Sequence, residues 1–172
     1  MDLIGRFKEG DREAFETLFR EHQNEVYGWI LRIVRDAGTA EDLTVETFWR
    51  VYRARSRFDP RAPFGAWARR IATNLAVDHL RRRRPEVELL RDVPQHPSPD
   101  PILCREMRAR IAAAFRALPV KLRVAAMLSL IEERPHREIA DALGASEGAI
   151  RVRVFRAVRL LRAQLTRMGV KP

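Results

Sequence analysis

The chain has 172 residues, 46% of them hydrophobic and only eight of them glycine, which is typical of packed helices in one domain or two small ones. Its 33 basic and 23 acidic residues give a formal net charge of +10. Cys104 is the only cysteine, which excludes an intramolecular disulfide and a zinc site built from cysteines of this chain, and we expect no metal and no cofactor. No run approaches about 18 apolar residues and no signal-peptide core opens the sequence, so we expect a cytoplasmic protein without membrane insertion.

Three helices are predicted in the first half of the chain. Apolar residues recur at helical spacing over residues 11–34, and again over residues 39–55 after a break at Gly38. Two prolines among arginines end the second helix and predict a basic loop at residues 56–63. A third helix then begins near Phe64 and ends in a run of arginines.

The third predicted helix has an apolar face and a basic, hydrogen-bonding face. The residues expected to pack are Phe64, Trp67, Ala68, Ile71, Leu75 and Leu80. The residues expected to project elsewhere are Arg69, Arg70, Thr73, Asn74, Val77 and Arg81. Aromatic side chains beside a basic loop could stack on extruded bases, but Phe64 and Trp67, three residues apart, fit a core role better. The arginines at 81–84 equally fit a solvated helix end that complements the helix dipole.

A proline-rich segment divides the chain. Residues 85–101 contain five of the ten prolines and have a net charge of −3, which predicts an extended linker. The expected fold is therefore all-α, with two small helical domains at residues 1–84 and 102–172 joined by this flexible linker. Its 17 residues, at about 3.1 Å each, reach roughly 53 Å. The first and second domains have net charges of +4 and +9, so the second is the better candidate for binding a polyanion such as nucleic acid. The same charge would also suit binding to an anionic membrane surface, or would serve solubility alone.

The most informative segment, residues 136–162, predicts a helix-turn-helix. Gly144 permits the left-handed backbone that ends its first helix and reverses the chain. Ser146 is placed to cap the second helix, with Glu147 in its electropositive first turn. The small residue, the turn glycine and the core aliphatic that such a unit needs are present at Ala140, Gly144 and Ile150.

The second helix of this unit combines a buried stripe with a dense set of arginines. The stripe is expected to comprise Ile150, Val154, Ala157, Val158, Leu161 and Leu165. The arginines that fall mostly off it are Arg151, Arg153, Arg156, Arg159 and Arg162. An ordinary helical hairpin with a solvated basic face is the alternative. The arginine density together with the turn spacing favours a DNA-binding helix.

Three sequence motifs, taken in order, resemble the extracytoplasmic function sigma factors of bacterial RNA polymerase. The stretches AEDLTVETFWRVYR, PFGAWARRIATNLAVDHLRR and EIADALGASEGAIRVRVFRAVRLLR are similar to regions 2.2, 2.3 to 2.4 and 4.2 of that family. The resemblance implies an alternative sigma factor that binds core RNA polymerase, directs it to specific promoter DNA and helps to open the duplex. It also implies an anti-sigma factor as a regulatory partner.

The resemblance carries specific roles onto residues of this chain. The polymerase contact maps onto Asp42, Glu46, Phe48 and Trp49. The contacts to the minus-10 element map onto Phe58, Arg61, Asn74, Asp78 and Arg81. The contacts to the minus-35 element map onto Ser146, Glu147, Gly148, Ala149, Arg151 and Arg153, with Arg156 placed for phosphate. Because arginine can contact guanine through two hydrogen bonds, specificity is expected to concentrate at Arg151.

Several positions depart from the family pattern. Val45 stands where glutamine is common in the polymerase-binding helix, which puts one polar contact in doubt. Pro135 and His136 replace the residues that usually precede the helix-turn-helix, where an aromatic is frequent. Ala149 and Val152 replace a common threonine and serine, so we expect base and phosphate contacts to depend more on the arginines.

Two other classes of function compete with this interpretation. A free-standing repressor would also carry a helix-turn-helix, but it normally needs a dimer interface to read two half-sites, and no separate leucine-rich seam is evident. An enzyme is disfavoured because the sequence shows no glycine-rich phosphate loop, no histidines at metal spacing and no cysteine partnered by a base.

Overall fold

A computed structural model describes residues 2–83 and 101–170. All regular structure within these two ranges is helical, as the sequence predicts. The predicted linker at residues 85–101 lies outside the described residues except for Pro101, which begins a helix. The domain boundaries on either side of it stay a prediction.

The first described range forms four α-helices, which we call the N-terminal lobe. They are α1 (Leu3–Lys8), α2 (Arg12–Val34), α3 (Ala37–Arg53) and α4 (Phe64–Arg82), with a short 3₁₀ turn at Arg55–Arg57. The three long helices match the predicted ones to within about two residues, whereas α1 escaped the sequence analysis because it has only six residues. Short helices leave too little periodicity to detect.

The second described range forms the C-terminal lobe. Its helices are α5 (Pro101–Arg116), α6 (Val120–Ala126), α7 (His136–Leu143) and α8 (Glu147–Arg167). Between α6 and α7 the chain makes one wider turn of π-helix at Met127–Ile131, where the Glu132 amide donates to the carbonyl oxygen of Met127.

Aspartates cap the N-terminal ends of helices α2 and α3. The Asp11 carboxylate accepts hydrogen bonds from the amides of Glu13 and Ala14 at 2.9 and 3.1 Å. The Asp36 carboxylate accepts from the Thr39 amide at 2.7 Å, and hydrogen bonding to Thr39 lowers the pKa of Asp36. Both aspartates therefore satisfy amides that the first helical turn leaves without a partner.

Helices α2, α3 and α4 pack side by side around a core of large apolar residues. Trp29, Ile30 and Val51 are at most 2% exposed. Two residues of α4 predicted to project away from this core, Thr73 and Val77, are buried within it. The apolar face of α4 is wider than its spacing indicated because α4 is packed on two sides, against α2 and α3 and against the C-terminal lobe.

The two lobes contact each other directly. Helix α7 and α6 lie on α4, and the π-helical turn lies on α2. Leu128 and Ile139 of the C-terminal lobe are completely buried in the same apolar cluster as Ile33 and Val77 of the N-terminal lobe. A second, smaller cluster, which includes Phe115 and Leu161, lies wholly within the C-terminal lobe. The lobes therefore share a core in this conformation.

Candidate nucleic-acid interface

The helix-turn-helix has the turn that its sequence predicts. Gly144 ends α7 with φ 59° and ψ 42°, in the left-handed region that favours glycine. The amide of Ala145 donates to the carbonyl oxygen of Ala140 at 3.0 Å across this turn. Ser146 then caps α8, because its hydroxyl oxygen accepts a hydrogen bond from the Ala149 amide at 3.1 Å. Both terminal signals in the sequence are confirmed.

Helix α8 buries one stripe and exposes the other side. Ile150, Val154, Ala157 and Leu161 are buried, as predicted, while Val158 and Leu165 are half-buried. The predicted minus-35 residues lie in the first turns of α8 and at its cap. Those exposed are Ser146, Glu147, Gly148, Arg151 and Arg156, and those half-buried are Ala149 and Arg153. The structure therefore brings the predicted set together on one end of one helix.

A salt bridge orders the first turn of this surface. Arg151 and Glu147 approach to 3.0 Å at four-residue spacing. Their side chains remain 66% and 48% exposed, so the pair is accessible to a ligand and is weak by itself. The guanidinium can therefore exchange this carboxylate for another acceptor, such as a base edge, at little cost.

Two apolar residues lie on the same surface: the sequence reasoning missed Phe155 and named Val152 only as a departure from the family pattern. Phe155 is 64% exposed and Val152 is 49% exposed, and both lie beside the exposed arginines of α8. The available signal was their position, since neither falls on the three-and-four spacing of the buried stripe. An exposed aromatic ring on a basic helix points to a binding role more strongly than a scattered surface leucine does.

The predicted minus-10 residues differ in their exposure to solvent. Arg61, Asn74 and Arg81 are exposed, and Asp78 is half-buried and lies 3.6 Å from Arg81. The backbone amide of Arg61 donates to the Asp59 carboxylate at 3.0 Å, which shapes the loop before α4.

Phe58, which was predicted to contact DNA, is only 2% exposed in this structure. Its ring centroid lies 4.8 Å from that of Trp67 and 5.8 Å from that of Phe64. These three rings form an aromatic cluster beneath the loop, so Phe64 and Trp67 have the core role that their spacing favoured. In this conformation the Phe58 ring supports the loop, and its contact with the minus-10 element stays a prediction.

The predicted polymerase-binding residues lie on α3. Asp42 is exposed, Glu46 pairs with Arg50 at 2.8 Å, and Trp49 is 55% exposed. Phe48, in contrast, is only 2% exposed and packs edge-on against Phe19 at 4.8 Å. Phe48 also lines the apolar cleft described below, and its part in polymerase binding stays a prediction.

An apolar cleft of about 540 Å³ opens between α2 and α3, beside Trp49. Its lining comprises Arg12, Phe15, Glu16, Phe19, Val45, Phe48, Trp49 and Tyr52. Val45, noted in the sequence as a departure from a common glutamine, is 68% exposed and contributes to this lining. Its side chain adds apolar surface to the cleft.

The described residues contain no group of three histidine, cysteine or acidic side chains placed to hold a metal ion. Among the same residues, no helix combines the length and the apolar character that crossing a bilayer requires.

Comparison with known proteins agrees with this arrangement. The profile Sigma-70 region 2 matches residues 18–86, and the profile Sigma-70, region 4 matches residues 108–161. The RNA polymerase sigma-H factor of Pseudomonas aeruginosa is 34% identical, with 90% of this chain and 88% of that protein covered. The RNA polymerase sigma factor CarQ of Myxococcus xanthus is 36% identical, with 93% of this chain and 94% of that protein covered.

Solved structures share the fold. CnrH, in complex with the cytosolic domain of CnrY, superposes with a TM-score of 0.61 at 27% identity over 95% of both chains. The sigma factor RpoE of Bartonella quintana, in complex with the anti-sigma factor NepR, has a TM-score of 0.58 at 18% identity, with 90% of this chain and 98% of RpoE covered. The chain therefore belongs to the extracytoplasmic function sigma factors, the alternative subunits that direct core RNA polymerase to specific promoters for the initiation of transcription.

Proposed function

We propose that the two lobes divide promoter recognition, with α8 reading the minus-35 element in the major groove. The observation that carries this assignment is the exposed end of α8, where Arg151 and Arg156 flank the apolar pair Val152 and Phe155. A helix inserted by its N-terminal end presents its first two turns to base edges. Arg151 would bind guanine, Phe155 and Val152 would contact thymine methyl groups, and Arg156 would bind phosphate.

The minus-10 element is assigned to the loop before α4 and to the outer face of α4. Arg61, Asn74 and Arg81 are exposed there and offer cationic and amide groups. Unstacking a base costs a few kcal/mol, and contacts to the extruded nucleotide offset part of that cost. The buried ring of Phe58 supports the loop from beneath, which keeps Arg61 at the surface.

Core RNA polymerase is assigned to α3 and the cleft beside it. Trp49 and Val45 supply exposed apolar surface, while Asp42 and Glu46 supply a negative rim. An exposed tryptophan at the edge of an apolar cleft has the character of an interface hot spot. The buried Phe48 forms part of the cleft wall.

The protein acts in the cytoplasm, is not itself an enzyme, and is held inactive by an anti-sigma factor. The solved relatives support the last point, because CnrH is in complex with the cytosolic domain of CnrY, and RpoE is in complex with the anti-sigma factor NepR. Catalysis of RNA synthesis belongs to the polymerase in this assignment.

Reconstitution with core polymerase tests the proposed function. We expect the purified chain to comigrate with core enzyme on gel filtration and to support run-off transcription from promoters mapped after its overproduction. The matched template carries the same minus-10 element with a scrambled minus-35 element, and should lose most of the product. Tight binding of the chain to an operator as a dimer, without polymerase, would instead identify a repressor.

A further inference from the structure

The basic loop of the N-terminal lobe, residues 56–63, is held to the core by one of its own side chains. Within this range, all of which the structure describes, every residue except Phe58 is exposed. The Phe58 ring lies against Phe64 and Trp67, at centroid distances of 5.8 and 4.8 Å. Because a loop with so few buried contacts opens easily, its conformation depends on the segments that pack around its base.

Helix α1 supports the same aromatic cluster. Phe7 of α1 is completely buried, and its ring meets that of Phe64 edge-on at a centroid distance of 5.6 Å. The Phe7 ring also stacks on that of Phe15 in α2 at 6.3 Å. Phe64 therefore links Phe7 to Phe58, and α1 contributes to the base of the loop although it lies outside it.

Arg55 joins the turn after α1 to the start of the loop. Its guanidinium carbon lies 4.5 Å from the centroid of the Tyr52 ring, and its Nη1 donates to the Tyr52 carbonyl oxygen at 3.0 Å. The same guanidinium lies against Gly10, where an added Cβ would meet Nε and Nη2 at 3.1 Å. Gly10 has φ 90°, a conformation that favours glycine. The Phe58 amide donates to the carbonyl oxygen of Arg55 at 3.2 Å, which connects the loop to this contact.

The turn that contains Gly10 is attached to three helices. The guanidinium of Arg6 in α1 donates at 2.7 Å to the carboxylate of Asp11, which caps α2. The hydroxyl of Tyr52 in α3 donates to the carbonyl oxygen of Gly10 at 3.4 Å. Because α1, α2 and α3 all hold this turn, it forms a fixed surface against which Arg55 packs.

We propose that Phe7 and Arg55 are positioning residues for the minus-10 element, which hold the basic loop in the conformation that presents Arg61 to DNA. This inference rests on the proposed assignment of that loop to the minus-10 element. Phe7 is buried and the Arg55 guanidinium is engaged by Tyr52 and Gly10, so both act through the loop and not by contact with a base. A loop that is already ordered loses less conformational entropy when a single strand binds to it.

A substitution that keeps the charge separates this role from a direct contact with phosphate. Arg55→Lys retains the positive charge but loses the planar group that packs on Tyr52 and Gly10. With the chain assembled on saturating core polymerase, we expect at least a fivefold loss of affinity for a single-stranded oligonucleotide that carries the minus-10 element of a mapped promoter. Affinity for a minus-35 duplex should not change. Fluorescence anisotropy measures both.

Arg57→Lys is the matched control for this measurement. Arg57 lies in the same 3₁₀ turn as Arg55, but its side chain is exposed. The control should leave the affinity for the minus-10 oligonucleotide unchanged. An equal loss in both variants would show that any change of side chain in this turn has the same effect, which contradicts a specific role for Arg55.

A double-mutant cycle with Arg61 shows whether the effect of Arg55 passes through the loop. Arg61→Ala alone should weaken binding of the oligonucleotide at least threefold. In the Arg55→Lys background the same substitution should cost much less, because the loop no longer holds Arg61 in place. Equal costs in the two backgrounds, or no loss from Arg55→Lys, overturn the positioning role while the minus-10 assignment stands. If Arg61→Ala has no effect in the native chain, the minus-10 assignment of the loop fails, and this inference fails with it.

Hydrogen exchange measures the order of the loop without DNA. The Ala62 amide donates to the carbonyl oxygen of Asp59 at 3.0 Å, so its exchange rate reports on the loop conformation. Phe7→Leu and Arg55→Lys should each raise this rate at least threefold in the free chain. Ile30→Val trims a completely buried side chain of α2 and is the control for a general loss of stability, so it should leave the rate unchanged. An unchanged rate in Phe7→Leu excludes α1 from the positioning role.

Discussion

The indole Nε1 of Trp29 donates a hydrogen bond to the hydroxyl of Thr73 across 2.8 Å. Trp29 lies in α2, Thr73 lies in α4, and neither is more than 2% exposed. The Thr73 hydroxyl donates in turn to the carbonyl oxygen of Arg69 at 2.8 Å. Both polar side chains are thus satisfied in the core, and the pair fixes the register of α4 against α2.

The first prediction concerns this buried hydrogen bond. Thr73→Val keeps the shape of the side chain but leaves the indole N–H of Trp29 without an acceptor, which should lower the free energy of unfolding by about 1 to 3 kcal/mol. Urea denaturation measures this loss. In a Trp29→Phe background the same substitution should cost much less, and a coupling energy near zero would show that the bond does not contribute.

Arg151 is predicted to select a base. Arg151→Ala should reduce discrimination at one position of the minus-35 element by about 1 to 3 kcal/mol, because a guanidinium that contacts guanine twice is lost. Fluorescence anisotropy with duplexes altered at each position of the element measures the preference. Arg162→Ala removes an exposed arginine about three turns further along α8 and serves as the control. An unchanged base preference excludes Arg151 as the reader.

Arg156 is predicted to bind phosphate. Arg156→Ala should weaken binding equally across sequences and should reduce the slope of log affinity against log salt by about one, since each phosphate contact contributes roughly 0.9. Titrations at several salt concentrations give the slope. Losses that differ between sequences would assign Arg156 to base recognition instead.

Phe155 is predicted to contact a thymine methyl group. Phe155→Ala should weaken minus-35 binding without changing the salt slope, and should change stability by less than about 0.5 kcal/mol because the ring lies mostly in solvent. Replacing thymine by uracil in the duplex removes the methyl group alone. The native chain should lose affinity for the uracil duplex and the variant should not, so equal losses would contradict the contact.

Trp49 is predicted to anchor core polymerase. Trp49→Ala should weaken binding to core enzyme by about 2 kcal/mol, or roughly 30-fold, and should leave affinity for an isolated minus-35 duplex unchanged. Leu130→Ala is the matched control, because Leu130 is 46% exposed but lies outside the cleft. Equal loss in both variants would remove the α2–α3 cleft from the polymerase interface.

The turn of the helix-turn-helix could be predicted because it is formed by hydrogen bonds between residues that are close in sequence. Gly144 and Ser146 act through hydrogen bonds to residues at most five positions away, so their roles follow from adjacent sequence alone. The same holds for the exposed arginines of α8, because the buried stripe itself determines which side of that helix remains outside.

Burial in the N-terminal lobe depended on neighbours distant in the chain. Phe48 and Thr73 have side chains that would suit a binding surface, and each is buried against a residue of another helix. Helical spacing gives the direction of an apolar face but not its width, which depends on how many other helices pack there. For the same reason, the cleft beside Trp49 became visible only once the packed surface was known.

The three long helices of the N-terminal lobe, the turn between α7 and α8 and the basic character of α8 were determined by the sequence itself, since periodicity, capping and charge are properties of contiguous residues. The contact between the lobes was decided only by the tertiary structure. Arg69 and Glu138 lie 69 residues apart, and nothing in either segment specifies the other as its partner. Their pairing follows from the packing of α7 on α4. There, the free energy gained by burying apolar surface outweighs the entropy that the two lobes lose when they pack together.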